Sequence, residues 1–360
     1  MIYIGITIVA VIIFGIVNRQ FSNVFRVLGT LRPGWLIVSV LVTGAFFVLE
    51  GVAIHLLMKS QGLPVGVGFS IKLGIIGFYY SYITPSATGG QPMQAAYLRR
   101  KNIPVGTSTA VLIMKFFCFQ CAYVLVSLVC FAFMYTKIKA TQPELIGFIN
   151  LGLIVNGVSI LLFGSLFFRP VLHVICRVAR KLVKSIGPLR RRGWTARVDK
   201  FEADFASYTQ DFKGKRGSVL VTILLSIPQF ILQMSVIYFV FRSFGYNDIF
   251  YPEVLAVQSL LQVSVSFLPT PGASGAQEIG FSNFFKGYFA PDDLYAAVMV
   301  WRFFTYYLVV IGGAILVVVD QFLYGKKHKQ TELTDGENED GPLPEELPAP
   351  AVEEEESRRD

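Results

Sequence analysis

Thr84-Pro85-Ser86-Ala87-Thr88-Gly89-Gly90-Gln91 returns near the other end of the chain as Thr270-Pro271-Gly272-Ala273-Ser274-Gly275-Ala276-Gln277. Five of eight positions are identical and the other three exchange small residues. Downstream, Val111-Leu112-Ile113-Met114-Lys115-Phe116-Phe117 answers Val298-Met299-Val300-Trp301-Arg302-Phe303-Phe304. The offset is 186 residues for the first pair and 187 for the second, so one residue was gained between them. Shared small-residue composition could produce one such match, but two in register indicate an internal duplication. Repeat 1 is placed at about 33–135 and repeat 2 at about 217–323.

Both motifs interrupt apolar sequence. Of the 360 residues 53% are hydrophobic and only 16% charged, with a mean hydropathy of +0.56. A soluble domain carries about a quarter charged residues, so this chain lacks the polar surface to cover itself. Its expected fold class is an all-α integral membrane protein, a polytopic helical bundle of about 7–8 spans. Met1 to Val17 reads as a retained first helix, since it lacks the basic start and small-residue cleavage site of a signal peptide. Further apolar runs cover about 33–58, 69–83, 105–135, 145–168, 219–241, 254–268 and 294–322. The membrane domain is expected to occupy 1–325, followed by a disordered acidic tail at 326–360 that is too polar to offset its ordering entropy.

Pro removes a backbone donor and Gly permits unusual dihedrals, so Thr84, Pro85, Gly89, Gly90, Thr270, Pro271, Gly272 and Gly275 mark broken helices. Matching interruptions in two repeats resemble transporters whose site lies at the repeat interface; tight helix packing through small residues is the alternative. If each motif is re-entrant, the repeats are inverted across the bilayer; if each belongs to a full crossing, they are parallel. Basic residues at 99–101 and across 169–216 favour full crossings in the first half, and the basic cap at 326–329 then asks for one crossing more or fewer in the second; re-entrant motifs and an inverted pair are the preferred reading. Between the repeats, 169–216 carries thirteen Lys or Arg against four Asp or Glu. Its apolar residues recur at helical spacing, as expected for two amphipathic helices on the cytoplasmic leaflet or, equally, for a small cytoplasmic hairpin packed on itself.

Glu50 stands inside an apolar run, where a charge is costly unless paired or wet. Lys115 and Arg302 occupy equivalent places in the two repeats, and Glu278 follows the second motif where the first has Pro92. These four, with Gln91 and Gln277 at the motif ends, are the candidate lipid-binding or translocation residues. The cations are suited to a lipid phosphate, and the carboxylates to pairing with them or carrying a proton; structural ion pairs are the alternative. Cys118 and Cys121 share a helix face, but a zinc site normally needs four ligands, so buried thiols and no metal are expected. No cofactor is expected, no phosphate-loop motif occurs, and the net charge of +8 sits beside apolar spans, favouring a membrane surface over nucleic acid.

At these motifs the chain resembles the lysylphosphatidylglycerol synthase transmembrane family, also called flippase-like membrane proteins. The resemblance covers about residues 1–325, with Pro271, Gly275, Glu278 and Arg302 matching the family pattern and Gly272-Ala273-Ser274 departing from it. It implies a multi-pass protein of the cytoplasmic membrane that translocates a phospholipid or a related anionic or aminoacylated lipid. Membrane phospholipids are then the partners, with a separate lipid-modifying enzyme as a further one. The alternative it implies is a phosphatidylglycerol lysyltransferase, or its membrane subunit, acting in cationic-peptide and antibiotic resistance. Lysyl transfer needs a soluble aminoacyltransferase domain or an intramembrane acid–base pair, for which Glu50 and His55 are the nearest residues; no catalytic residue is assigned. A scaffold working through 169–216 is a third reading.

Overall fold

A computed structural model describes residues 29–186, 194–214 and 216–339, and these form helices and turns without a strand. The apolar stretch at 1–17 lies outside the described residues. α1 is Pro33–Ser60, opened by a proline at the position where a missing N–H costs nothing. α2 is Val67–Ile83, and a 3-10 turn at Pro85–Ala87 leads to the short α3, Gly90–Arg99. α4, Val105–Thr141, and α5, Glu144–Ser165, complete the first half. α6, Arg169–Ser185, and α7, Trp194–Gly214, form the basic insert. The second half repeats the order: α8, Arg216–Ser243, α9, Tyr251–Val265, a turn at Pro271–Ala273, α10, Ala276–Phe284, and α11, Pro291–Arg302. A π-turn at Phe303–Tyr307 joins α11 to α12, Leu308–Glu339. The residue gained between the repeats falls between Gln277 and Pro291, because Pro104 and Pro291, at the heads of α4 and α11, already stand 187 apart.

Among the described residues, five segments are long and apolar enough to cross a bilayer: 33–60, 105–141, 144–165, 216–243 and 291–323. Their outward side chains fit hydrocarbon, not water: Leu161 is 73% exposed, Val129 63% and Ile154 63%. The remaining apolar runs, 69–83 and 254–268, are arms of two hairpins. α1 and α8 pack extensively and run antiparallel, since Arg32 N–H donates to the Ser243 carbonyl (2.9 Å) at the start of one and the end of the other. In the first hairpin, Lys72 near the start of α2 lies over the ring of Tyr97 near the end of α3, so the chain enters and leaves by the same face. In the second, Glu253 at the start of α9 pairs with Lys137, and the Asn283 carbonyl at the end of α10 accepts from Gln142 (3.3 Å). Both partners lie at the far end of α4. The hairpins therefore enter from opposite faces, and the repeats are inverted. The basic residues 99–101, at the end of α3, and the insert, whose Phe201 and Asp204 abut Gly106 at the start of α4, share one face.

The core gathers on the second repeat, where Phe241 and Phe289 stack at 3.9 Å and Phe281 and Phe285 are fully buried. The insert forms a hairpin packed on itself. Arg180 donates to Asp199 (2.7 Å) and Glu202 (2.8 Å), contacts led by the Asp199 bond that raise its pKa further. The compact unit ends at Leu316. α12 then continues as helix to Glu339, into the part of the tail expected to be disordered. Once a helix exists, each added residue fixes only its own dihedrals for one more bond, so residues such as Lys, Gln and Glu prolong it. Residues 340–360 lie outside the described region.

α5 reaches α9 so closely that a Cβ on Gly152 would stand 2.2 Å from the Val263 carbonyl oxygen. Gly152→Val should destabilise the protein by about 1–3 kcal/mol, read as a lower midpoint of thermal unfolding in detergent, while Gly147→Val, at an open position, should leave it near wild type.

Candidate functional site

The two 3-10 turns touch where the hairpins meet. Each holds two consecutive residues in the left-handed region at matching positions: Ser86 (φ 52°) and Ala87 (φ 53°) in the first, Gly272 (φ 58°) and Ala273 (φ 51°) in the second. Such dihedrals cost a non-glycine residue energy and persist only where the surroundings impose them. Space adds a second demand at Gly272, where a Cβ would stand 2.2 Å from the Tyr306 ring.

Side chains tie down the freed backbone. Thr84 Oγ1 accepts from Gly89 N–H (2.9 Å) and donates to the Tyr80 carbonyl (2.7 Å). The Glu278 carboxylate accepts from Gly275 N–H (2.5 Å) at the head of α10, and its other oxygen lies 2.7 Å from Arg302 Nε. Arg302 also donates to Ser274 Oγ (2.9 Å) and, at 3.4 Å, to the Gly272 carbonyl. Its guanidinium sits over the Tyr306 ring at 4.6 Å. The π-turn follows directly, and its Tyr306 packs on Tyr82 across the repeat interface with centroids 5.4 Å apart.

Beside these turns lies a cavity of about 240 Å³ bordered by both repeats: Ser86 and Ala87 from the first, and Thr270, Gly272, Gln277 and Arg302 from the second. Four glutamines line it, Gln233, Gln258, Gln262 and Gln277. Gln277 donates to Gln262 (2.9 Å). The amide oxygens of Gln258 and Gln277 are buried without a hydrogen-bond partner among the described residues, an arrangement that costs free energy unless a polar guest supplies donors.

The structure thus gathers part of the expected set. Arg302, Gln277, Thr270 and Gly272 border the cavity; Glu278 reaches it only through Arg302, and Gln91, Lys115 and Glu50 are likewise not among its lining residues. Lys115 pairs instead with Glu50 inside repeat 1, both side chains under 10% exposed, and Gln229 donates to the same carboxylate oxygen (2.5 Å). His55 bonds the Val65 carbonyl through Nδ1 (2.8 Å), so Glu50 and His55 are engaged separately. Gln233, Gln258 and Gln262 are not among the residues expected from the sequence. Their signal was present, because Gln229 and Gln233, like Gln258 and Gln262, stand four apart in apolar helices and so share a face.

Residues 2–313 match the lysylphosphatidylglycerol synthase TM region family. The chain belongs to that family. It is also similar to a UPF0104 membrane protein of Archaeoglobus fulgidus, 25% identical over 298 residues that cover 79% of this chain and 87% of that protein. The match to the family spans both hairpins and every residue that lines the cavity.

Removing one member of the sealed pair leaves a buried charge alone. Lys115→Met should therefore destabilise by about 3–5 kcal/mol. Lys115→Met with Glu50→Leu should recover much of that loss, a difference a double-mutant cycle of thermal unfolding would read.

Proposed function

We propose that this protein translocates a lipid headgroup between leaflets of the cytoplasmic membrane through the cavity between its two hairpins. The observation that carries the reading is the meeting of two oppositely inserted, strained turns around a polar cavity in a chain otherwise built for hydrocarbon. Irregular backbone at membrane depth is tolerated where it lines such a cavity, and inverted repeats with broken helices are a transporter architecture. A cavity of about 240 Å³ suits a small polar headgroup. The acyl chains, each reaching across half of a core about 30 Å thick, remain in the bilayer.

Arg302 is placed to receive a phosphate, and the glutamines to exchange hydrogen bonds with the headgroup's polar atoms. Glu278 keeps the guanidinium neutralised until an anion arrives, so binding exchanges one charge-assisted contact for another and leaves no charge bare. Glu278, Arg302, Gln277 and the turn residues form the translocation site; Lys115 and Glu50 hold repeat 1 together. Rocking one repeat against the other would then open the cavity to alternate faces. A phospholipid or a related anionic or aminoacylated lipid is the substrate class, and a separate lipid-modifying enzyme is the natural supplier of an aminoacylated one. The separate engagement of Glu50 and His55 weighs against lysyl transfer within the membrane part.

In liposomes holding the purified protein, labelled phospholipid should exchange between leaflets, and Arg302→Ala and Glu278→Gln should each slow exchange about tenfold or more, the scale of one lost charge-assisted hydrogen bond. Unchanged rates in folded variants, or no exchange of any phospholipid by the wild type, would overturn the assignment.

A further inference from the structure

The basic insert has a face that the translocation reading leaves unused. Along α6 the side chains divide into three rows. Leu172 and Cys176 are buried on the side where Arg180 and His173 reach across to α7. Val174, Ile175, Val178 and Leu182, followed by Ile186 just past the helix, form a second row, each 47–59% exposed. Arg177, Lys181 and Lys184, all exposed, follow at the same three-and-four spacing as a third row, flanking the apolar one between it and the Arg180 side of the helix. No carboxylate stands on α6 itself, and the acidic groups it meets on α7, Asp199 and Glu202, are taken up by Arg180 and His173.

We infer that α6 lies in the headgroup region of an anionic bilayer surface, its apolar row immersed and its basic row on lipid phosphates. Two further observations commit the surface to lipid. α6 begins only three residues after α5 ends, so the start of the row is tethered at the membrane boundary. Exposed apolar side chains also stand on both sides of that junction, Leu161 and Leu162 near the end of α5 and Phe168, 68% exposed, just before α6. Apolar rows with flanking Lys and Arg are what interfacial helices present to anionic leaflets. Because α7 bridges α6 to α4, such an arm also holds the near end of α4 at headgroup level. The inference does not depend on translocation.

The test places an environment-sensitive fluorophore at Val178→Cys or Leu182→Cys in the full chain, subtracting the signal of the unsubstituted protein. Nanodiscs of phosphatidylcholine, with or without phosphatidylglycerol, would carry acyl chains brominated near the headgroup. Brominated lipid should quench the label and aqueous iodide should not, more strongly with phosphatidylglycerol present. Changing Arg177, Lys181 and Lys184 together to Glu should remove at least about half of the phosphatidylglycerol-dependent quenching at an unchanged unfolding midpoint. Quenching by iodide alone would place the row in water, and protection from both quenchers would mean that a protein covers it; either result overturns the inference. Equal quenching in both lipids, unaffected by the Glu substitutions, would overturn its anionic part.

Discussion

Backbone that stops being helical inside a bilayer has no water to turn to, and the rest of this molecule is arranged around that constraint. Both hairpins end in turns with two successive residues at positive φ, near Ser86 and near Gly272. Neither turn could sit against lipid. The first is tied down by Thr84 and the second by Glu278 and Arg302, and the two turns pack on each other. Opposite insertion of the hairpins makes that meeting possible, and the antiparallel packing of α1 on α8 aligns the two repeats so that it occurs. The polar cavity is a consequence of the same meeting, because two turns crowded with backbone carbonyls and small residues cannot close into a dry core.

The two repeats solve one electrostatic problem differently. Each carries a cation at the matching place, Lys115 or Arg302, and each cation has a carboxylate. In repeat 1 it comes from Glu50, the eighteenth residue of α1, and the pair is sealed with Gln229. In repeat 2 the eighteenth residue of α8 is the neutral Gln233, and the carboxylate stands instead on the second hairpin, as Glu278 where repeat 1 has Pro92. That exchange leaves the cation as buried as its counterpart, Arg302 at 6% against Lys115 at 8%, but places it on the cavity lining and gives it a more exposed carboxylate, Glu278 at 24% where Glu50 is 5%. A sealed pair resists rearrangement because separating it strands a charge in low dielectric. A pair at a polar cavity can trade partners. The duplication thus kept one copy of the pair sealed in repeat 1 and one whose cation lines the cavity.

Much of this was legible in the residues. Apolar runs with few charges required a membrane, and two Pro- and Gly-broken octapeptides in register required a duplication with matched interruptions. The basic residues pulled two ways on orientation, and the inverted arrangement is decided by the ends of α4 that the two hairpins meet. The candidate residues were less evenly readable. Lys115 and Arg302 look alike in sequence, and both have carboxylates within reach of some plausible packing, so pattern alone gave no reason to separate them. Gln258 and Gln262 carried a signal in their four-residue spacing, muted because uncharged glutamines are a modest polar mark inside an apolar helix.

By itself the sequence determined the solvent of this protein, the order of its helices and the existence of two broken segments. These are consequences of local composition and spacing: hydrocarbon accepts apolar side chains, and proline and glycine interrupt a helix wherever they fall. Tertiary structure alone decided which carboxylate answers which cation, which glutamines face a common cavity, and which row of α6 is left without a protein neighbour. Those outcomes depend on contacts between helices separated along the chain, such as Glu50 with Lys115, 65 positions on, and with Gln229, 179 positions on. Side-chain identity sets what such a contact is worth; only the packing of the two repeats sets whether it is made.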